Sequence, residues 1–338
     1  MQVNSGAPMR LPASILLALS LTVAATMPAA ANPPGAKMRD LPEDWYPESV
    51  AAGPDGTLYV GSWRQGAVAR LKPRSEPEIL VKPGANGLAN AQGVLVDAQA
   101  GLLWVCSGTM GHTTVPTTPS ALKSYDLATG APRGSYPLPD TGYCNDLAQA
   151  ADGAIYVSDS LHPRILSMRA GDTALHIWLE DSLLGSGDAR FYLNGIAVDP
   201  AGGLFVSTVM AADYLLKVDW KPGGKAGAVH RIQAPRVFKN VDAVRILDAT
   251  HLVLFESNAF GKDGPYGGQV TLATLADDRI GKLQTLVAGL NDPSSGLILD
   301  GRVWYIESKY GLLLAHPNDD AAIPRQVPFY IGSVSLPR

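Results

Sequence analysis

Six polar, oxygen-bearing residues recur along the chain at nearly constant spacing: Glu48, Gln92, Asn145, Asn194, Asp242 and Ser295, which lie 44, 53, 49, 48 and 53 residues apart. Each opens a short apolar run, so each holds the same place in a repeated unit. Taken singly, Asn-Gly and Asn-Asp are first of all turn formers. In a common register they become a donor set. Two carboxylates about 5 Å apart across a narrow opening repel by about 3 kcal/mol at an effective dielectric of 20, so one stays protonated unless a cation stands between them. Glu48 and Asp242, joined by the amide oxygens of Asn145 and Asn194 and by water, would form an all-oxygen shell suited to a hard divalent ion. Calcium, magnesium and manganese are the ions expected. Zinc is the least suited alternative, because it prefers His or Cys and the ring has neither.

The elements that must carry this ring are visible in the repeat. Each copy reads as an apolar run, an Asp-Gly or Asp-Pro type of turn, and a second run rich in Leu, Tyr, Trp and Val, which is a hairpin signature. Examples are Glu48 to Tyr59, Asn145 to Tyr156 and Asn194 to Phe205. Third strands are expected at Ala67 to Leu71, Arg164 to Met168, Tyr214 to Asp219 and Gln269 to Leu275, and fourth strands at Leu175 to Leu179 and Leu283 to Val287. A period near 50 residues made only of strands predicts an all-β chain, a six-bladed β-propeller with four-stranded blades between about residues 45 and 330. No blade buries both faces alone, so the blades stack into one closed ring and residues 32–338 form a single domain. All inner strands then start at one mouth of the central channel, and the six residues form one circle.

The 338 residues are 46% apolar and 17% charged, with a net charge of −4 and no basic run. This excludes a disordered chain and gives no footprint for nucleic acid or for a polybasic membrane contact. Residues 1–31 differ from the rest: Arg10, an apolar stretch from Leu11 to Met27, then Ala29-Ala30-Ala31. They read as a signal peptide cleaved after Ala31, with Met9 an alternative start and a retained anchor the other reading. The mature protein is then exported, periplasmic or secreted, with no membrane contact after signal cleavage. Its two cysteines, Cys106 and Cys144, either form one disulfide or stay as separately buried thiols.

Glu48, the Asn145-Asp146 pair, Asn194-Gly195 and Asp242, each opening an inner strand, resemble the SMP-30/gluconolactonase/LRE family, and more distantly the paraoxonases and diisopropylfluorophosphatase. The resemblance covers nearly the whole mature chain. It implies that Glu48, Asn194 and Asp242 bind a divalent metal, often calcium, that Asn145 contacts metal or substrate, and that a small-molecule lactone or activated ester is hydrolysed. By the same resemblance Asp242 is the candidate catalytic base, and Asp146 could hold a second, structural calcium. The chain departs from sugar lactonases in two places: Pro47-Glu48-Ser49 replaces Glu-Gly-Pro, and Val241-Asp242-Ala243 replaces Pro-Asp-Gly. Gln92 stands where paraoxonases have a histidine, and it cannot act as a base.

Loops at the same mouth carry Trp63, His112, His162, Asn258, Phe260 and Tyr310. With Gln92 they are expected to line a substrate pocket of apolar walls and a few polar groups, with His112 the alternative base. Asp55, Asp152, Asp199, Asp248 and Asp300 read as turn residues. The other histidines receive no role. Two rival functions stand beside the hydrolase: a non-catalytic propeller that binds a protein, peptide or sugar, and a strictosidine synthase-like condensing enzyme that needs no ring metal.

Overall fold

Short apolar strands separated by Gly and Asp turns leave few places for a helix, and the chain folds accordingly. A computed structural model describes residues 38–185, 192–199, 202–208, 212–259 and 263–337. The proposed signal peptide, 1–31, and Phe260 lie outside the described residues.

The N-terminal strand is β1 (Arg39–Asp40). The first four-stranded sheet follows, with β2 (Pro47–Ala52), β3 (Leu58–Ser62), β4 (Ala67–Leu71) and β5 (Glu78–Val81). The second holds β6 (Asn90–Asp97), β7 (Leu102–Gly108), β8 (Ala121–Asp126) and β9 (Pro132–Pro137). The third holds β10 (Cys144–Gln149), β11 (Ile155–Asp159), β12 (Arg164–Met168) and β13 (His176–Glu180). Two further antiparallel runs share one eight-stranded sheet. They are β14 (Leu193–Asp199), β15 (Gly203–Thr208), β16 (Tyr214–Lys221) and β17 (Lys225–Gln233), then β18 (Val241–Asp248), β19 (His251–Glu256), β20 (Gly268–Ala276) and β21 (Arg279–Leu290). They are joined only where Gln233 meets Arg279 in parallel. The last sheet holds β22 (Gly296–Leu299), β23 (Arg302–Ile306) and β24 (Tyr330–Ser335). Its outer strand is β1, paired Arg39 with Ile331 and Asp40 with Tyr330. The N-terminal segment therefore completes the sheet that the C-terminal segment begins.

This is an all-β, helix-poor β-propeller. The inner strands pack in circular succession: β2 on β6, β6 on β10, β10 on β14, β14 on β18, β18 on β22, and β22 back on β2. Hydrophobic clusters fill the space between consecutive sheets. Tyr59, Val68, Leu103 and Tyr125 join the first to the second, and Trp45, Val60, Leu297 and Ile331 join the first to the last. Burial falls from the channel outward: β11 is buried throughout, whereas β9 and β13 contain no buried residue. Stacking buries the inner strands on both faces and leaves the outer strands half wet, as a ring of twisted sheets requires. The expected turn role of aspartate holds at Asp55, Asp152 and Asp248, whose carboxylates accept from the backbone N–H two residues on.

One α-helix stands among the described residues, α1 (Tyr310–Leu314), in the loop between β23 and β24. No described helix is long and apolar enough to cross a membrane.

Candidate active site

At the start of five inner strands the antiparallel register slips. The slips fall between Pro47 and Val50, Ala91 and Val94, Cys144 and Leu147, Leu193 and Ile196, and Val241 and Ala243. Each interval contains a ring residue: Glu48, Gln92, Asn145, Asn194 or Asp242. A bulge releases a residue from its ladder and re-aims its side chain, so the same local irregularity turns all five toward the channel. The Asn-Gly and Asn-Asp pairs that suggest turns in the sequence are bulges in the fold. Gly93 and Gly195 serve this geometry in a specific way. A Cβ on Gly195 would stand 2.6 Å from Ala243 Cα and from the Asp242 carbonyl, and one on Gly93 would stand 2.7 Å from Asp146 Cα. Only glycine lets neighbouring inner strands approach this closely.

The five residues line one cavity of about 610 Å³, mouth included. Asn240 joins them at its floor, and Trp63, Met110, Tyr143, Ala259, Tyr310, Leu313 and Leu314 form its walls. Ser295, the sixth member of the expected circle, does not line it. The last inner strand begins at Gly296 with no register slip, and Ser295 Oγ accepts from Arg245 Nη2 at 3.0 Å instead. Ser294 takes the neighbouring position and donates to the Glu48 carbonyl at 2.7 Å.

The floor is a buried acidic site with little internal compensation. Glu48 and Asp242 are each only 6% exposed. Burial, then the charges of Asp242 and Asp146, push the Glu48 carboxyl well above its ordinary range, against the opposing pull of Arg245. Burial also raises Asp242 to about 7, although Ser257 and Asn194 donate to it. The Asn194 Nδ2 to Asp242 Oδ1 bond is 2.6 Å. Asn145 Nδ2 donates to Ser160 Oγ at 2.8 Å, and Ser160 Oγ in turn donates to the Leu193 carbonyl. Both amides are thus held by their nitrogen ends. Asn145 Oδ1 is buried with no partner, and so is Gln92 Nε2. An unsatisfied buried polar atom costs about 1–3 kcal/mol, and an acceptor in that state beside two crowded carboxyls fits a cation.

Among the described residues no group of three or more His, Cys, Asp or Glu comes together to hold a metal ion. A cation here would rest on two carboxylates and on amide oxygens, which is the donor set read from the sequence. The residues fit calcium or another hard ion and lack the nitrogen or sulfur ligands that zinc prefers.

Asp146, next to Asn145, has its own cation. Its Oδ2 pairs with Arg245 Nη1 at 3.3 Å and its Oδ1 accepts the Leu147 N–H at 2.9 Å. Arg245 also reaches Ser295 Oγ and the Gly296 carbonyl in the last sheet, and it lines the wider cavity formed by the far halves of the inner strands. The guanidinium therefore links Asp146 on the third inner strand to the start of the last one.

Several loop residues take other places. Trp63 lines the cavity, anchored by Nε1 donating to the Gly111 carbonyl at 3.0 Å and packed edge-on against Tyr310. Asn90 holds the same loop by bonds to the Gly111 carbonyl and the Met110 N–H. His112 lines an adjoining groove with Met110 and Asp320, with Nδ1 3.0 Å from Asp320 Oδ1. His162 stands in the β11–β12 turn beside Asp159 and Arg164, outside the cavity lining. Asn258 turns its Nδ2 to the Gly264 carbonyl and is also outside it. Sequence reasoning missed Tyr143, Met110, Asn240, Leu313 and Leu314. Tyr143 precedes the Cys144 that the sequence already marked. The others arrive from loops and a short helix with no repeat signal. Cys106 and Cys144 are bonded to each other, with Cα atoms 5.1 Å apart, and so tie the second sheet to the third one residue from Asn145.

A strictosidine synthase-like N-terminal family matches residues 35–71, the segment that contains Glu48. No curated protein matches the chain in sequence. Solved structures share its fold at low identity. A gluconolactonase from Xanthomonas campestris is 17% identical, with TM-score 0.57, covering 90% of this chain and 92% of that one. Virginiamycin B lyase from Staphylococcus aureus, in a complex with quinupristin, is 11% identical, with TM-score 0.54, covering 89% of this chain and all of that one. A chain of a nidogen/laminin complex is 16% identical, with TM-score 0.53 and coverages of 74% and 85%. This fold thus occurs in a gluconolactonase, a lyase and a nidogen/laminin complex, and the fold alone does not choose among their functions. Over residues 35–71 the chain is thus similar to the strictosidine synthase-like family, and in fold, over nine-tenths of its length, to a gluconolactonase, in keeping with the resemblance to SMP-30/gluconolactonase/LRE-like proteins.

Proposed function

We propose that this protein is a metal-dependent hydrolase on a six-bladed propeller, opening a lactone or related ester at the cavity where the inner strands begin. The observation that carries the reading is the convergence of Glu48, Gln92, Asn145, Asn194 and Asp242, from five different inner strands, on one cavity. A divalent cation, calcium first, would be held by Glu48, Asn145, Asn194 and Asp242; when bound it supplies Lewis-acid polarisation and a water of lowered pKa. Asp242 takes a proton from the attacking water as the water oxygen bonds to the carbonyl carbon. Gln92 Nε2, buried without a partner, donates to the carbonyl oxygen as negative charge develops there. The ring C–O bond then breaks, and Asp242 returns the proton to the leaving alkoxide. The apolar walls keep bulk water from competing.

The Cys106–Cys144 bond supports an oxidising compartment, and with residues 1–31 as a signal peptide the protein would be exported to the periplasm or secreted. Its partner is a small molecule rather than nucleic acid or a membrane. The strictosidine synthase-like match over 35–71 favours a second reading, a condensing enzyme without a ring metal. Two carboxylates and two amides held in register argue against it, because such a site would have no use for them. The test is a panel of lactones and aryl esters assayed with and without exhaustive chelation. Turnover that chelation abolishes and calcium restores supports the proposal. Turnover unaffected by chelation, or a protein that takes up no metal and stays inactive on the panel when calcium is supplied, overturns it in favour of condensation or of ligand binding.

A further inference from the structure

Above its polar floor the cavity changes character. Trp63, Met110, Tyr143, Tyr310, Leu313 and Leu314 enclose it, and among the described lining residues there is no Lys, Arg, His, Ser or Thr. The two hydroxyls in these walls belong to Tyr143 and Tyr310. Both rings are buried, with their hydroxyl pKa values driven well up by burial and by the charges of Glu48 and Asp242. Tyr310 bonds Ser308 and Ser294, so its polar end points to the floor and its ring face to the cavity. The Trp63 N–H is likewise turned away, to the Gly111 carbonyl. The polar atoms of Trp63 and Tyr310 are thus both engaged by the protein itself. A polyhydroxylated ring would lose its water there and find few replacements, at a cost for each unpaired hydroxyl.

We infer that the substrate is a neutral lactone or ester with an apolar alkyl or aryl substituent lying between Trp63 and the α1 residues Leu313 and Leu314. This rests on the hydrolase reading for the reacting carbonyl and adds the class of the rest of the molecule. Leu314 sits at the rim, 38% exposed, where a bound substituent would cover it.

The experiment uses the calcium-loaded full chain and two matched series. One is γ-lactones bearing alkyl chains of increasing length, with a polyhydroxylated lactone for comparison, read as kcat/KM. The other is the corresponding lactams, which resist hydrolysis, read as binding by titration calorimetry. Both signals should rise by about fourfold per added methylene until the cavity is filled, and Leu314→Ser should flatten the rise for the longer chains. Preference for the polyhydroxylated compounds, or no dependence on chain length, overturns the inference while leaving the hydrolase standing. Chain-length-graded lactam binding without turnover of any lactone overturns the hydrolase and leaves the apolar ligand site. Absence of lactam binding overturns the inference as well.

Discussion

Without its cation, the floor of the cavity should make the protein less stable as pH rises through the range where most proteins are indifferent. Asp242 is raised from 3.8 to about 7 by burial, and Glu48 is raised in the same sense. A carboxyl with an elevated folded-state pKa keeps a proton that the unfolded chain releases. The folded state therefore binds more protons between about pH 4 and 7, and stability falls across that window. For Asp242 alone the full loss corresponds to about 4 kcal/mol. Asp292, raised to about 6, adds to it. Exposed carboxylates with lowered pKa values, such as Asp55 and Asp248, act oppositely, but their gain is complete by about pH 5, so the interval from 5 to 7 isolates the buried acids. A bound cation holds Glu48 and Asp242 ionised and removes the slope. Urea unfolding midpoints at pH 5, 6, 7 and 8, with and without calcium after chelation and dialysis, measure this. The calcium-induced stabilisation should grow steadily from pH 5 to 8. Asp242→Asn should raise metal-free stability at pH 8 while abolishing the response to calcium. A metal-free protein whose stability is flat or rising from pH 5 to 7, with a calcium effect independent of pH, would refute the reasoning.

Other consequences are equally specific. Gln92→Leu should lower kcat on the order of 10²-fold with calcium affinity unchanged in a direct titration, because Gln92 meets the substrate rather than the ion. Gly195→Ala should displace Ala243 and the Asp242 backbone, whose atoms lie 2.6 Å from the added methyl. It should cost about 1–3 kcal/mol in urea unfolding and weaken calcium binding in the same preparation. Reducing the Cys106–Cys144 bond, which closes a loop of sequence separation 38, should remove about 4 kcal/mol of stability on the chain-entropy account, read as a shift in the unfolding midpoint.

The repeat made most of the architecture legible. Strands Ala67–Leu71 and Arg164–Met168 occur with the bounds expected from their apolar runs, because a buried strand between turn residues has few alternatives. Register then carried five ring residues to one cavity from positions about 50 apart. Ser295 stays off the cavity because the last inner strand lacks the bulge that turns the other five, and a bulge leaves no mark on apolar alternation. Asn194-Gly195 reads in the sequence as a turn, and Gly93 carries no signal of its role, since close approach of a neighbouring strand involves a residue far away in sequence. The pairing of Asp146 with Arg245 was hidden for the same reason: the partners are 99 residues apart. His162 and Asn258 sit on loops of the expected kind, yet local bonds to Asp159 and Gly264 hold them off the cavity. Loop conformation depends on such bonds and not on periodicity.

The most direct test of the central claim is the metal content of the purified protein, followed by calorimetric titration of calcium into the chelated chain. The account predicts one ion per chain at the channel mouth in the wild type and none in the Glu48→Gln, Asp242→Asn double variant with its fold intact by circular dichroism. A wild-type chain that takes up no divalent ion, or a double variant that binds calcium as tightly as the wild type, would contradict it.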